Sequence, residues 1–321
     1  MSDPHSFEVS RRSFFKGAAA LSAAASAPAI ATVASGQAPT AGNGFKFRHS
    51  LNTSTIRDHK LPLAQSVELI AKAGYDAVEP WISELTQHEK DGGSLKDLGK
   101  KIADLGLTVE SAIGFANWIV DDDAKRAEGL EQAKRDMDMV QQIGGIRIAA
   151  PPVGATDQED LDLFKAAERY HALLEAGKGI GVIPQVELWG FSKSLSRVGE
   201  VAFVAAESGH PDACVLTDVY HVFKGGSPFE ALKTIAGQKM HVMHINDYPD
   251  IERAKIADKD RVYPGDGIAP LKSILSGLIA TGFGGVLSLE LFNKEYGKQP
   301  VETILATGLA KTKAIVATVL Q

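Results

Sequence analysis

From Phe45 to the C-terminus, short apolar runs alternate with longer amphipathic stretches. "FKFRHSLNT" leads to "LPLAQSVELIAKAG", "YDAVEPW" to "SLKDLGKKIADLG", and "LTVESAIGF" to "AEGLEQAKRDMDMVQQIG". The alternation continues to "GVLSLELFN" and "VETILATGLAKTKAIVATVL", giving eight pairs. In the longer stretches apolar residues recur every three or four positions, as Leu63, Val67, Ile70 and Ala71 do. That spacing predicts helices with one buried face. Several stretches end in glycine, at Gly74, Gly106, Gly144, Gly209 and Gly282, which suits a left-handed cap before the next strand. The short runs are almost continuously apolar, as strands covered on both faces are. Repeated βα units of this kind predict a (β/α)8 TIM barrel over residues 45–321. The competing architecture is an open doubly wound sheet, and no Gly-rich phosphate fingerprint follows the first strand to support it.

Ahead of the barrel the pattern changes. "SRRSFFKG", residues 10–17, precedes an alanine-rich stretch from Gly17 to Val33 that is interrupted by Pro28. A charged segment followed by a weakly apolar one reads as a signal peptide, and the consecutive Arg11 and Arg12 resemble a twin-arginine (Tat) export signal. The run is too rich in Ala, Ser and Thr for a membrane span, so no stable insertion is expected after cleavage. Residues 1–36 are expected to be the signal and residues 37–44 a flexible spacer. The resemblance implies a periplasmic or extracellular destination, reached by a route that carries folded proteins, often with a cofactor already seated.

About 280 residues remain after the signal and spacer, an ordinary size for one α/β barrel. Formal net charge is −6 for the whole chain. The signal carries a small positive excess, so the rest is more acidic still. That balance excludes the basic face a nucleic-acid partner needs. The lone Cys214, in the apolar run "ACVLTD", permits no intrachain disulfide and is expected to be buried.

Chemistry in such barrels sits at the C-terminal ends of strands. The fifth predicted strand ends at Glu187. The sixth ends at Asp218 with His221 one step beyond, the seventh at His244 and the eighth at Glu290. The four ligand candidates are 31, 26 and 46 residues apart, one per unit, with a polar insertion from Asp247 to Pro270 in the last gap. A lone charge in an apolar run is costly. Three carboxylates and one imidazole converging on one mouth repel unless a divalent cation joins them. Three oxygen donors and one nitrogen suit Mn²⁺ first, then Mg²⁺, with Co²⁺ or Zn²⁺ acceptable.

The set "VEL", "TDVYH", "HIND" and "LELFN" resembles the xylose-isomerase-like barrel superfamily, and within it the sugar phosphate isomerase/epimerase branch with its ketose 3-epimerases and inosose dehydratases. The resemblance implies that Glu187 and Glu290 are both metal ligands and the acid/base pair, with Asp218 and His244 as further ligands. It implies substrate contacts from His221, in the D-x-x-H spacing, and from Arg261 in "DRVYPGDG". Trp189, Trp118, Glu79 and Asn52, at or after other strand ends, are further candidates for the substrate pocket. The chemistry implied is proton removal next to a carbonyl to give an enediolate, on a small unphosphorylated carbohydrate or cyclitol. Elimination by a lyase or dehydratase acting on a keto-sugar or keto-glycoside would use the same site. A non-catalytic exported sugar-binding barrel, and assembly into a homo-oligomer, also remain open at this level.

Overall fold

The computed structural model describes residues 46–320. The signal and spacer expected from the sequence lie outside the described residues. Seven parallel strands are hydrogen-bonded in the order β2-β1-β7-β6-β5-β4-β3. They are β1 (Arg48–Asn52), β2 (Ala77–Glu79), β3 (Arg147–Ala150), β4 (Ile183–Glu187), β5 (Val215–Asp218), β6 (Met240–Ile245) and β7 (Val286–Leu289). Helices α1 (Leu63–Ala73), α3 (Leu95–Asp104), α5 (Leu163–Ile180), α6 (Val198–Glu207), α8 (Leu271–Ala280) and α9 (Val301–Ala317) match predicted helical stretches. All five glycines expected as caps adopt positive φ, between 63° at Gly209 and 89° at Gly74.

The expected third strand, residues 107–115, closes the barrel between β2 and β3 but is not a regular strand. It is joined by isolated bridges, Thr108 to Ala77 of β2 and Ile113 to Trp81 just beyond it. On the other side Ala112 exchanges hydrogen bonds with Arg147 and Ala149. The cause is Pro80, which follows β2 and has no N–H to continue the ladder. Pro80 still accepts from Ile113 N through its carbonyl, at 2.9 Å.

Other departures from the pattern are helical. α2 (Ile82–Lys90) was not expected in "ISELTQHEK". α7 (Val219–Gly225) starts directly after β5, and the stretch expected to be a helix from Pro228 forms only a 3-10 turn, Phe229–Thr234. α4 (Asp123–Gln142) takes the place predicted for the third helix, with Asp122 accepting from Lys125 N at its start.

The strands point alternate residues inward. Ile113, Ala149, Leu216, Val242 and Val286 form a small apolar cluster of their own. Two residues further along three of these strands come Asp218, His244 and Ser288. One layer of the interior is therefore apolar, and the next layer toward the C-terminal mouth is polar. Register fixes this second layer: Asp218 lies opposite His244, His244 opposite Ser288, and Asn52 opposite Glu79.

Cys214 is buried outside this layer, and burial pushes its thiol up to about 12, so it stays an inert apolar residue.

Candidate active site

Asp218, His244 and Glu290 each offer one ligand atom, and these atoms all lie within 4.8 Å of one another. His244 Nδ1 is 3.3 Å from Glu290 Oε2, 3.7 Å from Asp218 Oδ2 and 3.9 Å from Glu187 Oε1. The four residues expected from the strand ends are thus brought together, with Glu187 at the edge of the group. His244 Nδ1 is buried without a hydrogen-bond partner. Three carboxylate oxygens and an orphaned imidazole nitrogen facing them are the donor set of a divalent metal centre.

Local structure aims each group. Asp218 also caps α7: its Oδ1 accepts from His221 N at 2.8 Å, which leaves Oδ2 for the centre. Asn246 Nδ2 donates to that Oδ2 at 3.0 Å. Glu290 follows β7 directly, and its two oxygens divide their work. Oε1 accepts from Asn52 Nδ2 at 3.0 Å, while Oε2 faces His244 and Arg261.

Arg261 is only 1% exposed. Its Nη1 donates to Asp218 Oδ2 at 2.9 Å and Glu290 Oε2 at 2.7 Å, and its Nη2 donates to Asp258 and to His221 Nε2 at 3.1 Å. The long insertion after β6 is organised to deliver it. Asp247 and Val262 exchange backbone hydrogen bonds at 2.9 Å, and the Asp247 carboxylate gathers the N–H groups of Gly265, Gly267 and Ala269. Gly267 approaches so closely that a Cβ there would meet Tyr248 O at 2.2 Å. This close approach accounts for the second glycine of "PGDG".

The electrostatics separate the two glutamates. Burial pushes Glu187 up to about 8; the charges of Glu290, Glu79 and Asp218 add to this and His244 opposes it. Burial would raise Glu290 too, but the charges of His244 and Arg261 outweigh it and hold Glu290 well below the usual carboxylate range. His244 is raised, because Glu290 and Glu79 overcome the effect of its burial. His221 falls to about 3, through burial first and then Arg261, against the pull of Asp218. It is therefore neutral, and since Nε2 accepts from Arg261, the proton sits on Nδ1.

Above the centre opens a cleft of about 230 Å³, bordered by Glu187, Glu290, His221, Arg261 and Asp258 and walled by Trp81, Phe115, Trp189, Phe191 and Phe292. Trp189 and His221 are where the sequence places them. Asp258, Phe191 and Phe292 were not anticipated, since they lie in loops whose path the strand pattern does not reveal.

Three of the expected pocket residues do not border the cleft. Trp118 does not face the cleft. By residue 118 the chain has passed beyond the rim, so its indole N–H donates to Pro151 O at 2.8 Å and its ring packs on Tyr170. It borders instead an outer groove of about 760 Å³ with Arg126 and Arg169. Asn52 and Glu79 do not line the cleft either. They are 0% and 1% exposed, because their positions two residues above Ser50 and Ala77 point them into the interior, where they bond the site's own residues.

Fold and site together define a barrel with a carboxylate-rich group of side chains, suited to a divalent metal, at its strand ends. Residues 67–315 match the xylose isomerase-like TIM barrel family, and the chain belongs to it. Residues 8–28 match the TAT (twin-arginine translocation) pathway signal sequence, so the chain carries a Tat signal. The inosose isomerase of Bacillus velezensis is 30% identical over 262 residues, which cover 79% of this chain and 92% of that protein. The 3-dehydroshikimate dehydratase of Pseudomonas putida is 25% identical over 77% of this chain, a match that spans 39% of the relative's length. Among solved structures, the IOLI protein with a bound zinc atom aligns with a TM-score of 0.79 at 25% identity, over 84% of this chain and 98% of that one. The chain is an enzyme of the isomerase/epimerase type, with lyase chemistry represented among its relatives. Among the described residues no helix is long and apolar enough to cross a membrane.

Proposed function

We propose that the protein is an exported, divalent-metal-dependent isomerase or epimerase of a sugar or cyclitol, working outside the cytoplasm. The observation that carries this is the convergence of Asp218, His244 and Glu290 within 4.8 Å, with Glu187 3.9 Å from the same imidazole nitrogen. Glu187, Asp218, His244 and Glu290 would hold the metal, Mn²⁺ before Mg²⁺, Co²⁺ or Zn²⁺; the zinc bound by the IOLI protein favours a divalent ion of this kind. When bound, such an ion polarises a substrate carbonyl and its neighbouring hydroxyl.

The chain's own residues do the rest. One glutamate of the Glu187/Glu290 pair takes the proton from the carbon next to the carbonyl, leaving an enediolate, and the other returns a proton. His221, neutral with Nδ1–H free of a protein partner, donates to a substrate oxygen. Arg261 holds a second oxygen and balances the carboxylates. Trp189 and the neighbouring aromatics cover the C–H faces of the ring and exclude water. Arg261 borders the cleft with its guanidinium committed to Asp218, Glu290 and Asp258, an arrangement that suits an unphosphorylated substrate.

The dehydratase relative supports a second reading, in which proton removal is followed by loss of a β-substituent from a keto-sugar or keto-glycoside. A panel of keto-sugars and inososes in D₂O with Mn²⁺ separates them. One deuterium next to the carbonyl of an isomeric product supports isomerisation, and an unsaturated product supports elimination. Neither product, with Mn²⁺ bound, would overturn both. Glu187→Gln and Glu290→Gln should each lower turnover by about 10²–10⁴-fold, the typical worth of general acid–base catalysis.

A further inference from the structure

We propose that Glu79 is a positioning residue for the metal centre. It receives the Nε2–H of His244, so that Nδ1 is the nitrogen turned to Glu187, Asp218 and Glu290. This rests on the reading of His244 as a ligand.

An imidazole can offer either ring nitrogen to a metal, and the hydrogen bond made by the other nitrogen decides which. His244 Nε2 lies 3.0 Å from Glu79 Oε2. Both side chains are at most 1% exposed, so water does not compete for the bond. Among the described residues His244 is the one ion-pair partner of the buried Glu79 side chain.

Glu79 is itself held in place. Its Oε2 also accepts from Ser288 Oγ at 2.7 Å and from Asn52 Nδ2 at 3.1 Å. Asn52 cannot turn over, because its Oδ1 accepts from Trp81 Nε1 at 2.8 Å and Ser54 N at 3.0 Å. Its amide N–H groups are therefore committed to Glu79 Oε2 and Glu290 Oε1. The same amide aims two carboxylates: Glu79 at the back of His244, and Glu290 Oε2 at its front. Sheet register supplies the arrangement, since Asn52 is opposite Glu79 and Ser288 is opposite His244. With three donors on one oxygen and no surface on the cleft, Glu79 is better placed to orient the ligand than to touch substrate. Carboxylate partners of this kind are worth about 10–100-fold in metal affinity.

The test uses the metal-stripped mature chain, titrated with Mn²⁺ and with Zn²⁺ by calorimetry, and ¹⁵N spectra of histidine-labelled protein. Glu79→Gln should remain folded by circular dichroism and bind Mn²⁺ about 10–100-fold more weakly, while His244→Ala should bind still more weakly. In the metal-loaded wild type, His244 should carry its proton on Nε2. If His244→Ala binds Mn²⁺ like wild type, the ligand reading itself fails. If His244→Ala loses the metal but Glu79→Gln keeps wild-type affinity, the role of Glu79 is overturned. Should Glu79→Gln not fold, the wild-type spectrum decides, because a proton on Nδ1 with Nε2 on the metal contradicts the proposal.

Discussion

Arg261→Met should destabilise the metal-free protein strongly and the metal-loaded protein much less. Arg261 is 1% exposed and donates to Asp218 Oδ2 at 2.9 Å and Glu290 Oε2 at 2.7 Å. Two buried hydrogen bonds between charged groups are worth about 1.5–3 kcal/mol each. Removing one partner of a buried ion pair costs about 3–5 kcal/mol, in line with that sum. At about 2–4 °C per kcal/mol for a chain of this size, the metal-free variant should melt roughly 6–20 °C lower. The guanidinium also lies over the rings of Tyr220 and Phe292, and methionine loses that contact together with the charge. The same two oxygens are the ones assigned to the metal, and a cation beside them weakens metal binding. Without the arginine, Mn²⁺ should bind more tightly and restore more stability at a given concentration; at 100 times Kd the gain is about 2.7 kcal/mol. Thermal melts of both proteins, in EDTA and across a Mn²⁺ series, measure all of this. A metal-free variant within about 1 kcal/mol of wild type, or equal Mn²⁺ increments for both proteins, would refute the reasoning.

Three further expectations concern other residues. Mn²⁺ affinity should rise with pH through the neutral range to about 8 at least, because Glu187 is protonated below its raised value and His244 must also shed a proton to bind. Calorimetry in buffers of different ionisation heat should then show more than one proton released at neutral pH, and affinity independent of pH would contradict this. Replacing Arg11 and Arg12 by Lys should leave precursor in the cytoplasm by fractionation and immunoblot; normal processing would sink the export reading. Trp118→Ala should cost about 3–5 kcal/mol of stability as a buried aromatic while leaving KM unchanged, and a raised KM would return Trp118 to the pocket.

The strand ends were legible because a charged residue inside an apolar run has no inexpensive structural explanation, and Glu187, Asp218, His244 and Glu290 recur once per unit. The caps were legible because Gly74 and its counterparts adopt a backbone that other residues rarely take. Trp118 misled because distance along the chain past a strand end does not say when the chain has left the mouth. The floor of the site was hidden for another reason. Glu79 bonds His244 from 165 residues away, Ser288 bonds Glu79 from 209 and Asn52 bonds Glu290 from 238. Ser288 in "LSLE" is an ordinary strand residue until register sets it beside the imidazole. α2 escaped because its "ISELTQHEK" has few apolar residues to show a periodic face.

The interruption at Pro80 gives the barrel a seam. β1 with β2 and β6 with β7 share unbroken ladders, but between β2 and residues 108–113 the wall is joined at separated points. That stretch has fewer cross-links to break when the wall breathes, so its amides should exchange with solvent sooner than those of β5 to β7. Trp81 and Phe115 stand at the upper end of this seam, 5.2 Å apart across it. The seam therefore lies on the side that carries part of the aromatic rim, while Glu187, Asp218, His244 and Glu290 stand at the ends of β4 to β7.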